Sequence, residues 1–277
     1  MLIKLVADSS ANLHTMDCDI PYSSVPLKIV AGDKEYVDNT SLDIQGMLND
    51  LREHKGKSGT ACPSIGDWLE AFGDADIVYG VAITSQLSGC YNAAQLAAEE
   101  YMEANPGKKV FILDSLSTGP EMELILEKYL ELIHTGKEFE EVCEEIKKYC
   151  TRTQLLFSLE SLTNLARNGR VSPAVAAVAG ILGIRLVGRA SDHGTLEPMH
   201  KPRGEKKALQ QLLTSMQEMG YTGGKVRISH TFNEETAHKL AELIRSHHPG
   251  CDLKIRLNSA LCCFYAEDRG LLLGFEA

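Results

Sequence analysis

The chain has 277 residues, of which 44% are hydrophobic and 24% charged, and this mix is typical of a globular protein with one large domain or two smaller ones. A formal net charge of -10 argues against a nucleic-acid-binding protein, because phosphate recognition requires a basic face. The 8 cysteines form no Cys-x-x-Cys pair, so we expect reduced thiols and no metal site.

Strand-like and helix-like segments alternate in the first half. This alternation predicts a mainly parallel sheet covered by helices. The start, Met1–Asp8, turns polar too early for a secretory signal. The predicted strands are Leu2–Ala7, Ile77–Ile83 and Val110–Leu113, and the predicted helices cover Ile44–Leu51, Ser64–Phe72, Tyr91–Met102, Glu121–His134 and Phe139–Cys150.

The second half mixes strands and helices less regularly, and we place a domain boundary between residues 152 and 153. Its longest apolar run, Pro173–Ile184, is shorter than the about 20 residues of a membrane span, so we expect a cytoplasmic protein without one. The predicted helices cover Ala174–Leu182, Gly204–Met219 and Phe232–His247, and the predicted strands are Leu155–Ser158, Leu186–Ala190, Thr195–His200, Val226–Ser229, Leu253–Leu257 and Leu271–Phe275.

Two loops rich in hydroxyl groups are the candidate binding elements. One is Thr60–Ser64, which leads into a helix, and the other is Thr84–Cys90, which joins a strand to a helix. Loops at the carboxyl ends of parallel strands bind ligands in α/β sheets, and a helix amino terminus favours an anion. Neither loop contains a P-loop lysine, so the pattern favours a single carboxylate over a triphosphate.

Two aspartates and two arginines need separate interpretations. Asp8 and Asp114 end predicted strands, and we expect both to brace loops. Arg170 and Arg203 each lie beside glycine, where a guanidinium can present its fork to a carboxylate or phosphate; a solvated surface charge is the common alternative.

These motifs together resemble the DegV family of fatty-acid-binding proteins, collinearly over nearly the whole chain. The resemblance implies a Rossmann-like amino-terminal domain and a smaller α/β carboxy-terminal domain, with a long-chain fatty acid between them. The motifs that carry it are Asp8-Ser9, Val25-Pro26-Leu27, Tyr36-Val37-Asp38, Thr60-x-x-Pro63-Ser64, Leu87-Ser88-Gly89, Asp114-Ser115, Gly169-Arg170-Val171-Ser172 and Lys201-x-Arg203-Gly204.

By this resemblance, Thr60 and Ser88 hydrogen-bond the carboxylate of a palmitate-like acid, with Ser85 and the Gly89 N–H nearby. Ala174–Leu182 is the expected lining of the acyl tunnel. Where many members have His followed by Gly-Pro-Gly, this chain has Tyr265 followed by Ala266–Gly270, and the tyrosine either donates to the carboxylate or shapes a different pocket. Cys90 stands where members usually carry Thr.

Some family members look like the lipid-binding subunit of a bacterial fatty acid kinase, in which a partner phosphorylates the bound carboxylate. Arg170 and Arg203 match positions associated with that phosphate or with the kinase. This interpretation assigns the chain no catalytic residue, no cofactor and no metal, and makes it a subunit that presents a substrate.

Two other functions remain open from the residues alone. A hydrolase could use Ser88 or Ser85 as nucleophile, but neither loop contains a histidine, so the base would have to come from the second domain. A phosphoryl-transfer or small-anion protein would also use such loops, although it lacks the lysine of a P-loop.

Overall fold

The computed structural model describes residues 1–179 and 183–277. Its first half contains five helices and seven strands. They are β1 (Ile3–Asp8), β2 (Tyr22–Val25), β3 (Lys28–Ala31), β4 (Lys34–Val37), α1 (Ile44–Glu53), β5 (Ser58–Ala61), α2 (Ile65–Phe72), β6 (Ile77–Ala82), α3 (Cys90–Ala104), β7 (Lys109–Asp114), α4 (Pro120–His134) and α5 (Phe139–Cys150).

A parallel sheet with the strand order β2-β1-β6-β7 forms the core of this half, as the alternation of elements predicts. Every residue of β6 is buried, which is the pattern of a strand covered by helices on both faces. The predicted helix from Ser64 is present: a capping box between Ser64 and Asp67 starts α2, and Trp68 and Phe72 lie buried on one face.

A second sheet of the first half was not predicted. It is antiparallel, with the order β4-β3-β5, and each strand has four residues. Thr60, interpreted from the sequence as part of a loop at the carboxyl end of a parallel strand, lies instead on β5 and pairs with Ile29 of β3. That placement was wrong because β4 and β5 contain no fully buried residue and lack the alternating apolar pattern that marks a strand.

The second half is built around a six-stranded mixed sheet with the order β10-β9-β8-β13-β11-β12, in which only β11 and β12 pair in parallel. Its elements are β8 (Thr153–Leu159), α6 (Thr163–Arg167), α7 (Pro173–Ala179), β9 (Leu186–Ala190), β10 (Leu196–His200), α8 (Glu205–Glu218), β11 (Lys225–His230), α9 (Glu234–His247), β12 (Asp252–Leu257), α10 (Ala260–Ala266) and β13 (Leu271–Glu276).

All strands of the mixed sheet follow Thr153, but α10 crosses to the first half. Its Ala260 and Phe264 pack in one apolar cluster with Ile29 and Met47. The domain division at residues 152 and 153 stays a prediction. Of the predicted helix 174–182, α7 covers the first part, and residues 180–182 lie outside the described residues.

A buried polar network fixes α10 between the halves. The two carboxylate oxygens of Asp38 accept the N–H groups of Ala260 and Leu261 at 2.9 and 3.0 Å, which satisfies the amino terminus of α10. Asn12 accepts the N–H of Ser259 at 2.9 Å. No helix within the described ranges is long and apolar enough to cross a bilayer.

Candidate functional site

A narrow apolar cavity lies between the two halves. The space between its lining atoms, with the opening to solvent, is about 680 Å³, of which only about 70 Å³ can hold the centre of a water molecule. The second volume is a small fraction of the first because most of the space lies within a water radius of the walls, and the cavity is therefore narrow. Its described lining is Leu27, Thr60, Ile83, Leu87, Ser88, Thr118, Leu155, Phe157, Leu159, Leu165, Arg170, Leu196, Leu261, Cys262, Tyr265, Ala266 and Leu272.

Three polar residues of the lining, Thr60, Tyr265 and Arg170, lie together. The hydroxyl of Thr60 and the phenol oxygen of Tyr265 are 2.8 Å apart. The guanidinium of Arg170 lies over the Tyr265 ring at 5.9 Å, and its Nε donates to the carbonyl of Leu87 at 3.1 Å. Leu87 precedes Ser88, so the loop after β6 contacts this group through the Leu87 carbonyl.

The loop that carries Ser88 is braced by the two aspartates at strand ends, which confirms their predicted role. Asp8 accepts the N–H of Ile83 at 2.6 Å, and Asp114 accepts the N–H of Ser85 at 3.1 Å. Burial raises the pKa of Asp8, and it also raises the pKa of Cys90 well above its usual range. Cys90 is therefore a thiol at neutral pH, and its Sγ lies 3.3 Å from Asp8 Oδ2 as a donor.

The predicted site residues divide into two groups. Thr60, Ser88, Tyr265 and Arg170 line the cavity. The other three, Ser85, Gly89 and Arg203, are not among its lining residues.

These three are placed elsewhere for local reasons. The Ser85 hydroxyl accepts from Gln86 Nε2 at 3.3 Å. Gly89 is exposed directly before α3. Arg203 is an exposed residue that forms a β-bridge with Ile184.

The apolar wall comes mainly from elements that sequence analysis did not connect with the cavity. Leu155, Phe157 and Leu159 alternate along β8 and point to it, as successive odd residues of a strand do. This alternation with a period of two was the sequence signal that could have identified the three residues as lining the cavity. Of the segment 174–182, expected to line a tunnel, the side chains at 174–177 are not among the lining residues, and residues 180–182 lie outside the described part.

The electrostatics of the cavity favour an anionic head group. Among the described lining residues, Arg170 is the only charged one, and the lining also contains the hydroxyls of Thr60, Ser88, Thr118 and Tyr265. A guanidinium beside hydroxyl donors suits a carboxylate, while the apolar wall suits a hydrocarbon tail.

The described contacts do not favour the alternative functions. Within the described ranges, neither Ser85 nor Ser88 is hydrogen-bonded to a histidine, which a serine nucleophile needs as its base. No group of three or more metal-ligating side chains occurs in the part of the chain that the structure describes.

Comparison with known proteins agrees with this geometry. A family model described as "Uncharacterised protein, DegV family" matches residues 2–274. The chain belongs to the DegV family. A DegV domain-containing protein of Streptococcus pneumoniae is 43% identical over 100% of this chain and 99% of the relative.

Two solved DegV structures contain fatty acids. A DegV family protein from Eubacterium eligens, loaded with heptadecanoic acid, is 45% identical with a TM-score of 0.97, over 99% of both chains. The Fatty Acid Kinase (Fak) B3 protein of Streptococcus pneumoniae, loaded with linoleic acid, is 42% identical with a TM-score of 0.98, over 100% of this chain and 99% of that one. The expected DegV fold is therefore confirmed.

Proposed function

We propose that this protein binds one long-chain fatty acid in the cavity between its halves. The observation that carries the proposal is a narrow apolar cavity with four polar side chains in its lining, Thr60, Ser88, Tyr265 and Arg170, in which Tyr265 contacts both Thr60 and Arg170. The fatty acids in two structures with TM-scores of 0.97 and 0.98 to this chain support it.

In this proposal the tail supplies most of the affinity and the polar cluster sets the orientation. Burying a hydrocarbon chain is favourable by about 0.8 kcal/mol per CH₂ group. The hydroxyls of Thr60 and Ser88 donate to the carboxylate. Tyr265, which is hydrogen-bonded to Thr60 in this structure, turns its phenol O–H toward the carboxylate when the acid is present.

The same site would serve a subunit that presents its acid for phosphorylation. Similarity to the Fak B3 protein supports a kinase partner, with the bond-making residues in that partner. Arg170 would face the transferred phosphoryl group, and Arg203, being exposed, would contact the partner. A kinase that uses ATP acts inside the cell, so the proposal includes a cytoplasmic location.

Native mass spectrometry of freshly purified protein tests the proposal. We expect a bound mass of a C16 or C18 acid that is lost when Thr60→Ala and Ser88→Ala are combined. The matched control combines Thr40→Ala and Ser246→Ala, which remove the same two groups from exposed positions. An empty wild-type protein that also fails to bind added palmitate would overturn the proposal.

A further inference from the structure

The tip of the β9–β10 hairpin is inserted into the first half of the molecule. Gly194 is buried although Asp192, His193 and Thr195 beside it are exposed. Its carbonyl accepts the hydroxyl of Thr84 at 2.9 Å. The hairpin tip therefore contacts the loop Thr84–Ser88 at its first residue.

Only glycine fits at the tip. Gly194 has φ +79°, in the left-handed region that side chains disfavour, and a Cβ there would lie 2.2 Å from Thr84 Oγ1 and 3.2 Å from Leu116 Cα. Ser191 stiffens the turn from within, since its hydroxyl accepts the N–H of Thr195 at 3.1 Å. The conformation of the turn is therefore set within the hairpin itself, and it fits the gap beside Thr84 and Leu116.

Thr84 transmits this contact to the turn that carries Ser88. Its hydroxyl donates to Gly194 and accepts the N–H of Gln86 at 3.2 Å, while its carbonyl accepts the N–H of Leu87 at 3.2 Å. Thr84 is 1% exposed, so water cannot replace the hydroxyl contact. The N–H groups of Gln86 and Leu87 thus both hydrogen-bond to Thr84, the residue that the hairpin tip contacts.

The hairpin also forms part of the cavity wall. Leu196, two residues after Gly194, lines the same cavity as the first-half residues Leu87 and Ser88. β10 is an edge strand that pairs only with β9, so the sheet holds it from one side. The Gly194–Thr84 hydrogen bond joins the tip of the hairpin to the first half.

We propose that Thr84 and Gly194 are positioning residues that hold the Ser88 turn, and with it the carboxylate, in the binding geometry. This inference rests on the proposed function. Removing the Thr84 hydroxyl loosens the head-group contacts while the apolar wall stays in place, so the bound acid leaves faster.

The test uses [1-¹³C]palmitate and the full chain, with Thr84→Val as the near-isosteric variant, Thr84→Ser as the conservative rescue and His193→Ala as the control at the same tip. We expect Thr84→Val to shift the bound carboxyl resonance toward that of free palmitate. Its dissociation rate should rise roughly tenfold, as for the loss of one buried hydrogen bond. Thr84→Ser should restore both values, and His193→Ala should leave both unchanged.

Amide exchange without ligand supplies a second measurement. We expect faster exchange at Gln86 and Leu87 in Thr84→Val and in Gly194→Ala than in His193→Ala. A folded Thr84→Val variant with an unchanged carboxyl resonance and unchanged exchange would overturn the positioning role alone. A wild-type protein that binds no palmitate would overturn the proposed function and the positioning role together.

Discussion

Arg227 Nη2 lies 2.6 Å from Glu127 Oε2 in the interface between the two halves, and the arginine side chain is only 1% exposed. The pair is one of several ion pairs in which a row of acidic residues on α4 faces basic residues on β11 and β12. Acids spaced four residues apart share one helix face, which is why a single helix can meet two strands. The row joins Glu123, Glu127 and Glu131 to Lys225, Arg227, Lys254 and Arg256.

Replacing Arg227 should strongly destabilise the protein. Arg227→Met leaves Glu127 with one cationic partner fewer, and it leaves Glu123, 3% exposed, with Arg256 as its remaining partner. Removing one partner of a buried pair costs about 3–5 kcal/mol of unfolding free energy. Urea unfolding measures it, with Lys28→Met as the control, since Lys28 pairs with Glu35 on the surface. Equal midpoints for the two variants would contradict the expectation.

Glu121 should make stability fall as pH rises. Burial raises its pKa to about 7, although Thr153 donates to it at 2.7 Å. The folded protein therefore keeps a proton that the unfolded chain has lost, so stability is complete below about pH 4.5 and decreases up to about pH 7. Glu121→Gln removes this dependence and should stabilise the protein by up to about 3 kcal/mol at pH 8.

Unfolding curves of wild type and Glu121→Gln at pH 5, 6, 7 and 8 check this expectation. The difference between the two proteins should grow from pH 5 to pH 7 and then remain constant. A difference that is the same at every pH would show that Glu121 does not titrate in this window.

Asp38 should matter for ligand binding because it fixes the helix that carries Tyr265. Asp38→Ala removes the acceptor of two N–H groups at the start of α10 and should cost about 1–3 kcal/mol of stability. Palmitate affinity should fall as well. Asp43→Ala is the matched control: it removes the cap of α1, which contributes no lining residue to the cavity, and should leave palmitate binding unchanged.

Gly188 should control the width of the cavity. It pairs across the strands with Phe157, a lining residue, and a Cβ at position 188 would lie 2.4 Å from Phe157 Cζ and 2.5 Å from the carbonyl oxygen of Glu197 on β10. We expect Gly188→Ala to push the ring into the cavity and weaken palmitate binding roughly tenfold, a cost of about 1.4 kcal/mol.

Calorimetric titration with palmitate measures this effect, with Gly66→Ala as the control because a Cβ there has 3.7 Å of clearance. Adding Phe157→Leu to Gly188→Ala should recover part of the affinity. If the single variant bound palmitate like the wild type, the ring would not limit the cavity.

The long elements of this fold could be predicted from the sequence because their signals are local. The predicted bounds of α5 match the observed helix, and α4 begins one residue before its predicted start, at Pro120. The strands β2 to β5 could not be predicted in the same way. Each has four residues, and pairing with a distant partner rather than an internal pattern makes it a strand.

The candidate site was predictable in part. Thr60 and Ser88 could be selected as candidate binding residues from the hydroxyl-rich loops and the family motifs, and both line the cavity. Whether a given residue of a five-residue turn faces the cavity depends on long-range bonds, such as the one from Ser85 N to Asp114, which no local pattern contains. The same holds for Gly194, whose partner Thr84 lies 110 residues away.

The segment Ala266–Gly270 shows how distant contacts can outweigh local preference. Many family members carry Gly-Pro-Gly here, yet Glu267 and Arg269 adopt φ +53° and +61°. Glu267 accepts the N–H of Asn164 at 2.8 Å and the hydroxyl of Ser161 at 2.7 Å, which offsets the strain.

Because both halves supply the cavity walls, an acid held there becomes a removable part of the hydrophobic core. A ligand that binds only the folded chain adds RT ln(1 + [L]/Kd) to its stability, so the empty and filled proteins differ in their resistance to unfolding and proteolysis. The amount of this protein that survives in a cell would then report the supply of its ligand, with no dedicated sensor required.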